Sequence, residues 1–165
     1  MDHEGISVVF LAPEEWQELR TIRLEALRSE PQAFSSTYAE TLLRPDVYWR
    51  DRLASDRSVT LIARSDQRPI GLVGGYFGSD EGDESVAIVV SMYVNQAYRG
   101  RGIGRWLLRS LVARLAADRR IATIRLWVRP GQQPACQLYE SLGFRVAGES
   151  VDADGVELIM ELRVR

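Results

Sequence analysis

Apolar residues in the first half of the chain form a strand-like run, followed by helix-like spacing. The run ISVVFLA at residues 6–12 predicts a strand that ends at Pro13. From Glu14 onward a helix ending near Ser29 is predicted by the helical spacing of Trp16, Leu19, Ile22/Arg23 and Ala26/Leu27. The segment EPQAFSSTYAE is typical of a loop, and a second short helix is predicted after Pro45.

The second half of the chain predicts several strands joined by turns and two helices. Residues 59–65 and 69–78 flank a polar turn, as in a hairpin, and the almost wholly apolar residues 85–94 are typical of a central strand. The remaining predicted elements are a helix from Gly104 to about Asp118, a strand at 121–128, a helix from Gln133 or Pro134 to Gly143, and a closing hairpin made of FRVAGES and VELIMEL.

This order of elements defines the fold class that we expect. Antiparallel strands come first, and a β-α-β unit follows around the glycines at 100–104. We therefore predict a mixed α/β (α+β) fold, with a mostly antiparallel sheet and helices on both faces. At 165 residues the chain is the right length for a single domain, residues 1–165.

Composition narrows the chemistry that is available. The net charge of −2 gives no support to nucleic-acid binding, and we predict no nucleic-acid partner. Cys136 is the only cysteine and His3 the only histidine, so the sequence predicts no metal site, and a serine or cysteine triad would have to recruit His3. Catalysis is expected to depend on carboxylates, tyrosine, backbone groups or a cofactor.

The N-terminal residues lack the pattern of a secretory signal peptide. Asp2, His3 and Glu4 stand where a signal peptide would have basic residues, and no long apolar segment follows. We therefore expect a cytoplasmic protein with no membrane partner. The sequence leaves the oligomeric state open, including a homodimer.

The segment VNQAYRGRGIGRWLL, residues 94–108, alternates glycine at three positions and surrounds the glycines with arginines. A glycine-rich turn into a helix leaves backbone N–H groups available to a phosphate. A dinucleotide fingerprint would need glycine at Arg105 or Leu107, and a phosphate-binding P-loop would need a lysine, so both templates fail. A di- or polyphosphate site and a simple turn with solvated arginines both remain open at this point.

The pattern Arg99-x-x-Gly102-x-Gly104 after an apolar strand resembles the acetyl-CoA signature of the GNAT N-acetyltransferases. The similarity extends to SMYV, to RLWVRPGQQ, to ACQLYESLGF at 135–144, and to the N-terminal segment LRTIRLEALRSEPQAFSSTYAE, so it covers nearly the whole chain. The resemblance implies a GNAT-like acyl-CoA N-acyltransferase fold. It also implies transfer of an acetyl group from acetyl-CoA to a primary amine of a small molecule or a peptide N-terminus.

The resemblance also implies roles for individual residues. The Met92 backbone amide would polarise the thioester carbonyl, and Tyr139 would be the general acid that protonates the CoA thiolate. Gln132 stands where the family often has an asparagine that binds the pantetheine arm. The other residues implied to bind the cofactor are Tyr93 and Val94 on the strand, and Arg99, Gly100, Arg101, Gly102, Ile103, Gly104 and Arg105 in the turn.

One departure from the family pattern, and the lone cysteine, leave alternatives open. Some family members have a glutamate base on the central strand, where this chain has Ile88, so the base would be Glu84, another acid acting through water, or solvent. Cys136 allows a covalent acetyl-enzyme, but no histidine accompanies it, and direct attack by the amine in a ternary complex is the favoured route. A non-catalytic acyl-CoA sensor or scaffold of the same fold is the alternative to an enzyme, and a nucleotide-binding regulatory domain is a third.

The sequence gives less specific evidence for the site that would bind the acceptor amine than for the cofactor site. Residues 29–50 are rich in aromatics, which either line the acceptor site or pack a helix onto the sheet: Phe34, Tyr38, Tyr48 and Trp49. Several acids would favour a cationic amine if they faced the cleft: Glu40, Asp46, Glu149, Asp152 and Asp154.

Overall fold

The computed structural model describes residues 3–79 and 81–165 and contains one seven-stranded sheet with the order β1-β2-β3-β4-β5-β7-β6. The strands are β1 (Ile6–Phe10), β2 (Ser58–Ser65), β3 (Arg68–Phe77), β4 (Val86–Val94), β5 (Thr123–Val128), β6 (Arg145–Asp152) and β7 (Gly155–Arg163). The α-helices are α1 (Trp16–Ser29), α2 (Tyr38–Leu42), α3 (Asp46–Ala54), α4 (Ile103–Ala116) and α5 (Gln133–Ser141).

The two central strands separate along their length. β4 and β5 are the parallel pair, and the other strand pairs are antiparallel. The pairing between β4 and β5 runs from Val86 opposite Thr123 to Ile88 opposite Arg125, and these two strands do not pair further in the described residues. Because β4 continues to Val94, the carboxyl ends of the two strands leave a wedge between them.

Apolar side chains on the two faces of the sheet form separate cores. On one face α4 packs through Leu107, Leu111 and other residues against β2, β3 and β4, and Tyr139 and Phe144 extend this core towards β5 and β7. On the other face α1 and α3 pack against the sheet around the fully buried Trp49. The sheet therefore holds α4 and α5 on one side of the wedge and α1 on the other.

The predicted fold class is confirmed, and so are the predicted strands and the helices of the β-α-β unit. The interpretation of EPQAFSSTYAE as a loop was wrong in part, because Tyr38–Leu42 is a short helix. Its N-cap is Thr37, whose hydroxyl accepts a hydrogen bond from the Glu40 amide at 3.2 Å. No helix in the described residues is both long enough and apolar enough to cross a bilayer.

Candidate active site

A cleft of about 550 Å³ opens where β4 and β5 separate. Four parts of the chain meet there: the end of β4, the glycine turn with the start of α4, the end of β5, and α5 with the loop before it. The loop after α1, residues 30 and 32–34, closes one side. The cleft is lined by all but one of the residues predicted to bind cofactor or to catalyse: Met92, Tyr93, Val94, Arg99, Gly100, Gly102, Ile103, Gly104, Arg105, Gln132 and Tyr139.

β4 contains a bulge in the wall of this cleft. The register with β3 shifts between Leu72, opposite Tyr93, and Gly74, opposite Val90. Ser91, within the shift, has a φ of 61°, which is unusual for a residue other than glycine. Such bulges and outliers concentrate at functional sites because they turn the backbone away from regular pairing. Here the bulge immediately precedes Met92.

The glycine turn presents unpaired backbone donors to the cleft. Gly100 and Gly102 have φ values of 78° and 80°, in the left-handed region that glycine tolerates best, and Gly102 is the N-cap of α4. Among the described residues, the amides from Gly102 to Arg105 find no backbone or side-chain acceptor, whereas the Arg101 amide closes the turn at Arg99 and Gly100. Four adjacent N–H groups at a helix start form a site suited to an anion such as a phosphate.

Gly104 allows the start of α4 to lie close to β4 and α5. A Cβ atom at this position would lie 3.0 Å from Met92 Cε and 3.5 Å from Leu138 Cδ2. The first of these contacts is tighter than most Cβ contacts in proteins, so the end of the Met92 side chain would have to shift slightly, whereas the second is an ordinary van der Waals contact. Glycine here keeps the unpaired amides beside the bulge of β4.

The arginines of the turn have partners of their own. Arg99 Nε donates to the Val94 carbonyl at 2.8 Å, and its guanidinium forms an ion pair with Glu30. Arg105 Nη1 donates to Ser141 Oγ at 2.8 Å. Arg101 is the predicted cofactor residue that does not line the cleft, and its guanidinium carbon lies 5.3 Å from the Tyr98 ring centroid. The site therefore relies on backbone donors, with Arg99 joining the turn to the end of α1.

Tyr139 approaches the cleft from the opposite side. It is 6% exposed and packs edge to face on Phe144, with 6.0 Å between ring centroids. Burial, and secondarily the neighbouring Cys136, raises the pKa of Tyr139 well above its ordinary value. The hydroxyl makes no hydrogen bond to the described residues, and it is not among their fully buried polar atoms that lack a partner, so it reaches the cleft that Tyr139 lines. It is therefore a protonated donor at neutral pH that is free to meet a ligand.

Other residues considered from the sequence lie away from this chemistry. Glu84, one of the three alternatives for the base, precedes β4 and forms an ion pair with Arg57 at 3.0 Å, outside the cleft lining, which disfavours it in that role. His3 stacks on Trp106 with 4.8 Å between ring centroids. Burial raises the pKa of the Cys136 thiol, and Cys136 does not line the cleft. These positions disfavour a histidine triad and a cysteine nucleophile.

The aromatic residues predicted for the acceptor side were expected either to line the site or to pack a helix onto the sheet, and the structure shows both. Phe34 lines the cleft, whereas Trp49 is core, and Tyr38 and Tyr48 each lie beneath an arginine. The candidate acids do not line the cleft. Two of them, Asp152 and Asp154, surround Arg129, with the Asp152 oxygen 3.0 Å from its Nη2.

Arg23 and Ser91 lie at or beside the cleft but were not predicted from the sequence as site residues. Arg23 is buried in α1 and donates from Nη1 to Ser91 Oγ at 2.8 Å. A signal was present, since Arg23 shares the apolar stripe of α1 with Leu19 and Leu27, where a charge is unusual. No sequence signal indicated the left-handed conformation of Ser91.

A family model, described as the acetyltransferase (GNAT) family, matches residues 16–144. The chain therefore belongs to the GNAT acetyltransferase family. The family that the sequence motifs predicted is therefore confirmed.

Two characterised proteins are similar in sequence. An L-2,4-diaminobutyric acid acetyltransferase of Streptomyces anulatus is 30% identical over 89 residues, which are 53% of this chain and 49% of that protein. An aminoglycoside N(6')-acetyltransferase type 1 of Klebsiella pneumoniae is 29% identical over 116 residues, 66% of this chain and 58% of that protein. The chain thus matches only about half the length of these relatives.

Solved structures share the fold at lower identity. A GNAT-family acetyltransferase from Streptococcus pneumoniae aligns with a TM-score of 0.80 at 18% identity, covering 97% of this chain and 99% of the other. The aminoglycoside acetyltransferase AAC(6')-Ib in complex with coenzyme A aligns with a TM-score of 0.70 at 22% identity, covering 96% and 94%. Both likenesses identify the fold.

Proposed function

We propose that this chain is an acetyl-CoA-dependent N-acetyltransferase that acts by direct attack of a primary amine in a ternary complex. The observation that carries the proposal is the cleft between β4 and β5, where the unpaired amides of the glycine turn and the Tyr139 hydroxyl meet. Family membership and the acetyltransferases among its relatives support the reaction type. The acceptor is the amine of a small molecule or a peptide N-terminus.

The residues present fit the phosphate end of acetyl-CoA. The amides from Gly102 to Arg105 and the start of α4 would bind the pyrophosphate, with glycines 100, 102 and 104 allowing close approach. Arg99 holds the turn to Val94 and Glu30, and Arg105 adds positive charge at its rim.

The other end of the cleft supplies the groups for acetyl transfer. The pantetheine arm would lie along the separated edge of β4, at Met92, Tyr93 and Val94, and would reach Gln132 on the opposite side. The Met92 amide would stabilise negative charge on the thioester oxygen. Tyr139 would give its proton to the departing thiolate, a role that its protonated, unpartnered hydroxyl suits.

No side chain in the described cleft is a free general base. Glu30 is the carboxylate among the lining residues, and it forms an ion pair with Arg99. The position of the family glutamate holds Ile88, which is buried. We therefore assign amine deprotonation to solvent, so that the neutral form of the acceptor enters the cleft.

Calorimetry with acetyl-CoA, followed by a thiol-release assay over a panel of amines and peptides, tests the proposal. One-site binding and amine-dependent release of CoA are expected. Absence of acetyl-CoA binding contradicts the proposal. Binding without turnover on any amine favours the acyl-CoA sensor. The expected cytoplasmic location and a homodimer remain predictions, for fractionation and sedimentation to test.

A further inference from the structure

A buried arginine without a carboxylate partner lies behind the acceptor side of the cleft. Arg23 is 7% exposed, and its guanidinium carbon lies 4.7 Å from the centre of the Phe34 ring. Its one hydrogen bond in the described residues goes to Ser91 Oγ. The charged residue that most affects it is another cation, Arg52.

This environment is unfavourable to a positive charge that has no counter-ion. Burial, and secondarily Arg52, lowers the pKa of Arg23 to about 10, so the side chain remains charged at neutral pH. Buried charges in proteins are normally paired because desolvation is costly. A buried charge with a shifted pKa beside a cleft is a candidate for a functional residue.

The two groups that Arg23 contacts both line the cleft. Phe34 belongs to the loop after α1, and Ser91 forms the bulge of β4. Ser91 directly precedes Met92, whose amide is assigned to the thioester carbonyl. Because Ser91 and Met92 are adjacent along β4, a group held at Ser91 would be bound one residue from the proposed position of the thioester carbonyl.

Charge in the described cleft favours an anionic group on the acceptor. The lining carboxylate, Glu30, is neutralised by Arg99. The acids that the sequence suggested for a cationic acceptor lie outside the cleft lining. A buried cation, Arg23, therefore lies behind two lining residues of the acceptor side without lining the cleft itself, and no free carboxylate lines the described cleft to oppose it.

We propose that Arg23, with Ser91, binds the carboxylate of an acceptor that also carries the reacting amine, so that the substrate class is an amino acid or a similar amino carboxylate. This inference rests on the proposed acetyl transfer. Arg23 determines specificity and takes no part in bond making. Phe34 covers one side of its guanidinium and orients the other side towards Ser91.

Matched acceptors test the proposal. Glycine, β-alanine, 4-aminobutyrate and 2,4-diaminobutyrate are each compared with the corresponding carboxamide, which has the same amine. The carboxamide has the lower amine pKa and so more neutral nucleophile, which makes preference for the acid a demanding outcome. For at least one pair we expect kcat/KM to favour the acid by about 10- to 100-fold, the range for a charge-assisted hydrogen bond.

Variants assign that preference to Arg23. In Arg23→Met the acid-to-amide ratio should fall at least about tenfold, with unchanged affinity for acetyl-CoA, and Arg23→Lys should restore part of it. Arg28→Met is the matched control, because Arg28 lies on the same helix and stacks on Tyr38 at the same 4.7 Å but bonds only that exposed phenol. The control should keep the wild-type ratio.

A binding measurement separates this proposal from the proposed function. Calorimetry of the same acids and carboxamides with wild type and with Arg23→Met needs no turnover. If no amine is acetylated but an acid binds to wild type alone, acetyl transfer fails and the carboxylate site stands. Equal handling of acids and carboxamides by the wild type, or an unchanged ratio in Arg23→Met, overturns the carboxylate site.

Discussion

Tyr139 combines a structural role with the chemical role that we propose for it. Its ring is part of the core beneath α5, next to Phe144, and its hydroxyl lies at the cleft without a partner. Apolar packing raises the pKa of the phenol because it disfavours the phenolate. The same packing holds the donor in one position for a ligand.

Replacing Tyr139 with phenylalanine removes the proton donor and retains the ring. We expect kcat to fall by about 100-fold or more, the usual contribution of a general acid, while the Kd of acetyl-CoA changes little. Steady-state kinetics and calorimetry measure the two quantities. Tyr98→Phe is the control, since Tyr98 also lines the cleft, and unchanged turnover in Tyr139→Phe would remove this residue from the reaction.

The pH dependence of acetyl transfer should reflect the acceptor and the raised pKa of Tyr139. With solvent as the base, kcat/KM should rise with pH as the amine loses its proton. A general acid must keep its proton, and a raised pKa keeps it to higher pH, so no alkaline decrease is expected below about pH 10. A pH–rate profile measures this, and a decrease that begins near pH 8 in wild type but not in Tyr139→Phe would contradict it.

At the scale of elements, local signals predicted most of the fold. Helix α5 could be predicted because Pro134 stands in its first turn and Gly143 follows its last turn. Gly143 has a φ of 99°, which glycine tolerates best. Helix α2 was missed although Thr37 and Glu40 have the spacing of a capping box, because serine and proline nearby suggested a loop. The separation of β4 from β5 has no local signal, since the apolar residues of β4 continue past the last paired position.

The close contacts of Gly104 at the start of α4 predict that a larger residue there weakens the binding of acetyl-CoA. In Gly104→Val the new atoms would press on Met92 and enter the space beside the unpaired amides. We expect the Kd of acetyl-CoA to rise about tenfold or more, measured by calorimetry with circular dichroism as a check of folding.

Gly131→Val is the matched control for this change. A Cβ atom at Gly131 has open space around it, and the residue does not line the cleft. Its affinity for acetyl-CoA should remain close to wild type. Equal affinities in the two variants would refute the assignment of the turn to the pyrophosphate.

At the scale of the whole molecule, the sheet brings the two proposed binding surfaces, for donor and acceptor, to one point. The glycine turn and α5 approach from one side, and α1 with its following loop approaches from the other. They meet at Ser91 and Met92, where β4 has left its neighbour. The donor side could be predicted because it depends on a local glycine motif. The acceptor side could not, because Arg23 and Ser91 are 68 residues apart and only the packing of α1 on β4 joins them.

The most direct test of the central claim is to incubate the protein with acetyl-CoA and a mixture of amines, and to measure free CoA and acetylated products together by mass spectrometry. We predict that N-acetylated amine and free CoA form in equal amounts and that both depend on the Tyr139 hydroxyl. Release of CoA without any acetylated amine, or no reaction on amino acids, other small amines and peptides alike, would contradict it.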